Sequence, residues 1–131
     1  MLLQVRRGAS EEKKMTVVEE WYREQIRTVV PILIAKWEPL VGVKVKRFFV
    51  RKMKTKWGSC NPRTHSIRFN TDLAKKPTAC LEYILVHEMA HLIERAHNAR
   101  FIALMDRFLP SWRHLREELN RAPLGHATWN Y

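Results

Sequence analysis

The chain has 131 residues, 46% of them apolar, with five Trp, five Phe and three Tyr, enough for one domain around one core and too apolar for a disordered chain. Two cysteines, Cys60 and Cys80, are too few for a disulfide framework and are not spaced as a CxxC pair, so both are expected as reduced, packed thiols. The formal net charge is +11, the first residues lack the apolar stretch of a signal peptide, and no apolar run approaches the roughly 18 residues of a membrane span; a soluble, cytoplasmic protein with no membrane contact is expected.

A polar leader over residues 1–15 precedes a domain expected at 16–131. Thr16 to Glu19 has the spacing of a capping box and is expected to open a long helix. Val18, Trp21, Tyr22, Ile26, Val29, Val30, Leu33 and Trp37 recur at helical spacing. Pro31 should kink or split this helix, and Pro39 with Gly42 should end it. Val43 to Met53 is rich in β-branched and aromatic residues but changes parity near Arg47 and Phe48, which predicts a bulged strand. Turn residues Gly58, Asn61 and Pro62 precede a second strand over 65–71, so a small antiparallel hairpin or sheet is expected. Thr78 to about Arg95 reads as a buried helix opening at a Thr cap. A further helix should end near Pro110, Ser111 should cap the last one, and the tail after Arg121 reads as irregular.

The predicted buried helix carries His87-Glu88-Met89-Ala90-His91. Residues four apart stack on one helical face, so both imidazoles can reach one metal ion. Glu88, offset round the helix, can lean over a water at that ion as general base. Catalytic zinc usually takes three protein ligands, and its bound water has a pKa of about 7. The third ligand is His97, six residues on, or Glu94, which shares the helical face of His87 and His91. With six histidines and eleven glutamates, chance alone produces this motif in about two such chains per hundred, so context matters. The context is an apolar helix, where two histidines and a glutamate are costly unless paired or metal-bound.

The charge is local. Residues 43–76 hold eleven Lys or Arg against the single Asp72, while the flanking parts are nearly neutral. Such a segment can bind nucleic acid or another polyanion, or form a solvated β surface.

Taken together, "MKTKWGSCN" at 53–61, "IRFN" at 67–70, "LEYILVHEMAHLIERAHNARF" at 81–101, "LPSWRHLREELN" at 109–120 and "WYREQ" at 21–25 resemble the YgjP-like metal-dependent hydrolase family, a zincin-type group related to SprT and Spartan-type proteases. The resemblance implies an α+β, minimal zincin-like fold: a long N-terminal helix, a small antiparallel sheet, a buried HExxH helix and C-terminal helices. It implies a zinc metallopeptidase acting on peptide or protein substrates, with His87, His91 and His97 as ligands of Zn2+ and Glu88 as the catalytic glutamate. Many relatives look longer, with a further β-rich region before the first helix. In zincin-like folds an edge strand beside the metal helix pairs with extended substrate. Trp57, Gly58 and Ser59 are the candidate substrate-binding wall, Gly58 permitting close approach; the competing reading is a structural turn with Trp57 in the core. His65, His114, His126 and Tyr131 are available as oxyanion stabilisers. Kinship with DNA-linked proteases makes a nucleic-acid-associated module or DNA-stimulated protease the alternative function.

Overall fold

The computed structural model describes residues 11–121, with side chains from Val17 onward. Helix α1 spans Glu11–Val41. Ile26, Val30, Leu33, Trp37 and Val41 are buried at steps of three and four, one stripe facing the core. The helix starts ahead of the expected capping box and runs through both prolines without a break. Pro31 and Pro39 lie on the exposed side, so the lost N–H groups fall away from the stripe, and burial on either side of each ring offsets their cost. The helix stops where Gly42 adopts φ 84° and donates its N–H to the Glu38 carbonyl at 2.9 Å.

Strands β1 Arg47–Arg51, β2 Gly58–Asn61 and β3 Ser66–Asn70 form one sheet in the order β1-β3-β2. The expected hairpin is β2–β3, antiparallel, with Ser59 opposite Arg68 and Cys60 opposite Ile67. The sheet is nonetheless mixed, because β1 joins β3 in parallel, Phe49 opposite Arg68. The expected bulge is absent: the parity change falls where the strand begins, and Arg47 to Arg51 keep an unbroken register with Ser66 to Asn70. Val50, Ile67 and Phe69 point into the core; each is worth about 1.5–3 kcal/mol when fully buried.

Asn70 is fully buried, and its polar atoms are used. Its Nδ2 donates to the carbonyls of Met53 and Lys56, each at 2.8 Å, and its Oδ1 accepts from the Asp72 N–H. It thereby ties down the loop that leads into β2 and caps a short 3-10 helix, Thr71–Lys75.

Helix α2, Thr78–His91, is buried at almost every position from Cys80 to His91. Thr78 is its first residue and not its cap; Pro77 holds the cap position and makes no side-chain cap bond. Glu82 fastens α2 to α1 by accepting from Trp37 Nε1 and Lys36 Nζ, both at 2.8 Å. Helix α3, Ala99–Phe108, is capped by Asn98, whose Oδ1 accepts from the Phe101 N–H at 3.0 Å. Helix α4, Trp112–Asn120, follows Ser111, which occupies the cap position without a side-chain bond. Trp112 Nε1 donates to Asp106 at 2.8 Å and so ties α4 to α3. The leader up to residue 10 and the tail from residue 122, with His126 and Tyr131, lie outside the described residues. Among the described residues no helix is long and apolar enough to cross a membrane.

Candidate metal centre

Three imidazoles converge at the end of α2. His87, His91 and His97 each offer one ligand atom, and these atoms lie within 4.8 Å of one another. His87 and His91 are 1% and 8% exposed, while His97 is exposed. The helix ends at His91, four residues before the expected exit near Arg95, and the chain then turns back on itself. Leu92 N–H reaches the Glu88 and Met89 carbonyls, and Ile93 and Glu94 N–H reach that of Ala90. This return brings His97 Nε2 to 2.7 Å from His91 Nε2.

Glu94 holds the return from two sides. Its backbone carbonyl lies 3.0 Å from His91 Nδ1, and since a carbonyl can only accept, Nδ1 carries the proton. In neutral His91 the Nε2 lone pair is therefore the one turned toward His97. The Glu94 carboxylate accepts from Asn98 Nδ2 at 3.0 Å and Arg100 at 3.3 Å, and more weakly from Ala96 N–H. Glu94 thus secures the loop, and His97, not Glu94, completes the three-nitrogen group.

Burial lowers the pKa of His91, and the neighbouring His87 adds to this. His97, its ring only partly covered, is lowered to about 4, first by that partial desolvation and then by His91 and His87. Both rings are thus neutral near pH 7, the form a metal requires. Glu88, 3% exposed, places its Oε2 at 2.8 Å from His87 Nδ1.

Two contributors had no role in the sequence reading. Phe101 lies face to face with His91, ring centroids 4.2 Å apart at 12°, and meets His87 and His97 edge-on. Its position four residues after His97, on a helix capped by Asn98, was the available signal. The second is Cys60. Burial first, and then the Glu88 carboxylate beside it, push its thiol up to about 12.

Of the three expected wall residues, only Gly58 reaches the centre. A Cβ there would lie 2.6 Å from Ile84 Cγ2, 3.2 Å from the Arg68 carbonyl oxygen and 3.6 Å from Glu88 Cγ. The side chain of Trp57, 3% exposed, belongs to the core and not to an open wall, with Lys76 Nζ 5.7 Å from its ring centroid. Ser59 points to the opposite face of the sheet, as strand alternation requires. His65 sits in the β2–β3 turn with Nδ1 at 2.9 Å from the Lys44 carbonyl, and His114 is exposed on α4.

Strand β2 is an edge of the sheet among the described residues. The Asn70 N–H donates to the Trp57 carbonyl at 2.9 Å, which marks that pair as hydrogen-bonded. By the antiparallel alternation Ser59 and Asn61 also bond inward to β3, and the backbone groups of Gly58 and Cys60 point out along the open edge.

A family model described as YgjP-like, metallopeptidase domain, matches residues 1–122. No curated protein matches the chain. Among solved structures, the metallopeptidase zymogen of Pyrococcus abyssi abylysin superimposes with a TM-score of 0.64 at 18% identity, covering 70% of this chain and 92% of that one. The metallopeptidase zymogen of Methanocaldococcus jannaschii jannalysin gives 0.61 at 15% identity, covering 70% and 94%. At such identities the likeness is one of fold, and it is the α+β, zincin-like fold expected from the sequence.

Proposed function

The chain belongs to the YgjP-like metallopeptidase family, and from that membership we propose that it cleaves peptide bonds with Glu88 as general base and His87, His91 and His97 as ligands of a zinc ion. Family and fold support a zinc-dependent peptidase acting on peptide or protein substrates. The observation that carries the residue assignment is the convergence of three imidazoles beside one buried carboxylate.

The donor set fits zinc. Three nitrogen donors would suit a catalytic zinc, which takes three protein ligands, rather than a structural one, which takes four. Zinc bound there supplies Lewis acidity, polarising a carbonyl and acidifying a water molecule. The Glu94 carbonyl holds the His91 tautomer, and Phe101 packs against that ring and fixes its plane. Glu88 takes the proton from the attacking water at a carboxylate oxygen and delivers it to the leaving amine. Extended substrate pairs with the outward backbone groups of Gly58 and Cys60, which places its peptide units beside Glu88.

The test joins metal analysis to hydrolysis of casein and a peptide library. Wild-type protein is expected to hold one zinc per chain and to turn over. Glu88→Gln is expected to keep the zinc and to lose about 100- to 10,000-fold in rate. Undiminished hydrolysis by that variant removes Glu88 from the role.

A further inference from the structure

The outer face of the sheet, turned away from the metal centre, carries Arg47 and Arg51 on β1, Arg68 on β3 and the small polar Ser59 and Asn61 on β2. Cross-strand pairing aligns Phe49, Arg68 and Ser59 in one row that ends at the open edge. A cleft of about 270 Å³ lies along this row, lined by Ser59, Cys60, Asn61, Pro62, Ser66 and Arg68. Arg68 is exposed and has no carboxylate partner among the described residues, whereas Lys52 and Lys75 of the same basic segment are paired with Glu19 and Asp72.

We infer that this cleft is a subsite for an acidic side chain, preferably glutamate, of a peptide lying extended along β2. The inference rests on the peptidase reading above and adds a preference to it. A peptide strand paired with Gly58 and Cys60 turns alternate side chains to the face that Ser59 occupies. The residue opposite Ser59 lies two strand spacings from Arg68, about 10 Å away, so the longer glutamate reaches the guanidinium better than aspartate does. Small side chains at 59 and 66 leave the path open. The surrounding excess of ten positive charges over residues 43–76 draws the acid in and disfavours lysine at that position. A cleft of this size takes one side chain, and peptide backbone pairing is what the adjoining edge offers; both favour a peptide over a nucleic acid.

A set of otherwise identical peptides, each with a single Glu, Gln, Asp or Lys walked along the sequence, tests the subsite. Zinc-loaded wild-type protein is expected to show one register at which Glu raises kcat/KM about fivefold over Gln, mainly through KM. Arg68→Gln should abolish that preference, Arg68→Glu should convert it to one for Lys, and Lys44→Gln, which changes an exposed cation off the sheet, should preserve it. Thermal melts of the variants confirm folding. Cleavage with no Glu preference, or a preference that survives Arg68→Gln, overturns the subsite and leaves the peptidase reading intact. If no peptide is cleaved, the peptidase reading fails by itself, and fluorescence anisotropy with the Glu88→Gln protein decides the subsite. Tighter binding of the labelled Glu peptide than of its Gln twin, lost in Glu88→Gln/Arg68→Gln, upholds it. Equal binding of the two, or an Arg68-dependent preference for a single-stranded oligodeoxynucleotide over the Glu peptide, overturns it.

Discussion

The carbonyl oxygen of Glu94 lies 3.0 Å from Nδ1 of His91, so the loop leaving the HExxH helix is tied to a ring on that helix's last turn. The contact is made by backbone, whereas the Glu94 side chain faces Asn98 and Arg100. Residue 94 thus has two separable functions.

Separation is testable by substitution. Glu94→Ala keeps the carbonyl and loses the carboxylate contacts, so zinc stoichiometry should hold while stability falls by about 1 kcal/mol, read from a denaturant titration. His97→Ala should instead weaken zinc by about two orders of magnitude in a competition titration with a chromophoric chelator. Zinc lost only from the Glu94 variant would reassign the third ligand.

Gly58 sets how closely the edge strand approaches the metal helix. A methyl at this position meets Ile84 Cγ2 at 2.6 Å and the rigid Arg68 carbonyl at 3.2 Å. Gly58→Ala should therefore cost about 1–3 kcal/mol by overpacking. Combining it with Ile84→Ala, which removes the clashing methyl, should destabilise by less than the sum of the two single changes; additive values in a double-mutant cycle would place the strain elsewhere.

The metal-free protein should lose stability as pH falls from about 6.5 toward 4. The sign follows from His97: its folded pKa of about 4 lies below the ordinary 6.5, so between these values the unfolded chain binds a proton that the folded chain refuses. Protonation then favours unfolding, with His91 acting in the same direction. Melting temperature against pH in the presence of a chelator checks this, and His97→Gln should flatten the profile.

Cys60 should be unreactive while the protein is folded. With its thiol held near 12 by burial and by Glu88, almost no thiolate exists at pH 8. Iodoacetamide labelling followed by mass spectrometry should be slow in the native protein and fast in guanidinium; rapid native labelling would contradict the packing of Cys60 against Glu88.

The HExxH helix, the returning histidine and the helix after it were legible because each depends on local pattern: i,i+4 spacing, an apolar run, a proline at a helix end. What escaped depends on contacts distant in sequence. Helix α1 survives Pro31 and Pro39 because its buried stripe packs on both sides of them, a tertiary compensation that local propensity does not contain. Strand β1 pairs in parallel with β3, skipping its sequence neighbour β2, and nothing in its own residues encodes that choice. Trp57 offered core and wall readings alike, and only its burial decides between them. The closeness of Cys60 to Glu88 follows from the seating of β2 on α2 at a glycine.

The open edge of β2 has a consequence for the protein's behaviour among its own copies. Backbone groups of Gly58 and Cys60 that pair with no strand among the described residues invite the strand of a second molecule as readily as any other peptide, the usual first step of edge-to-edge aggregation. Here the arginines of the adjoining face bring like charges together whenever two such edges approach. Their mutual repulsion is strong at low ionic strength and fades as salt screens it. The cationic face thus acts as a gatekeeper for colloidal stability, and it leaves the edge accessible to a strand of the opposite charge.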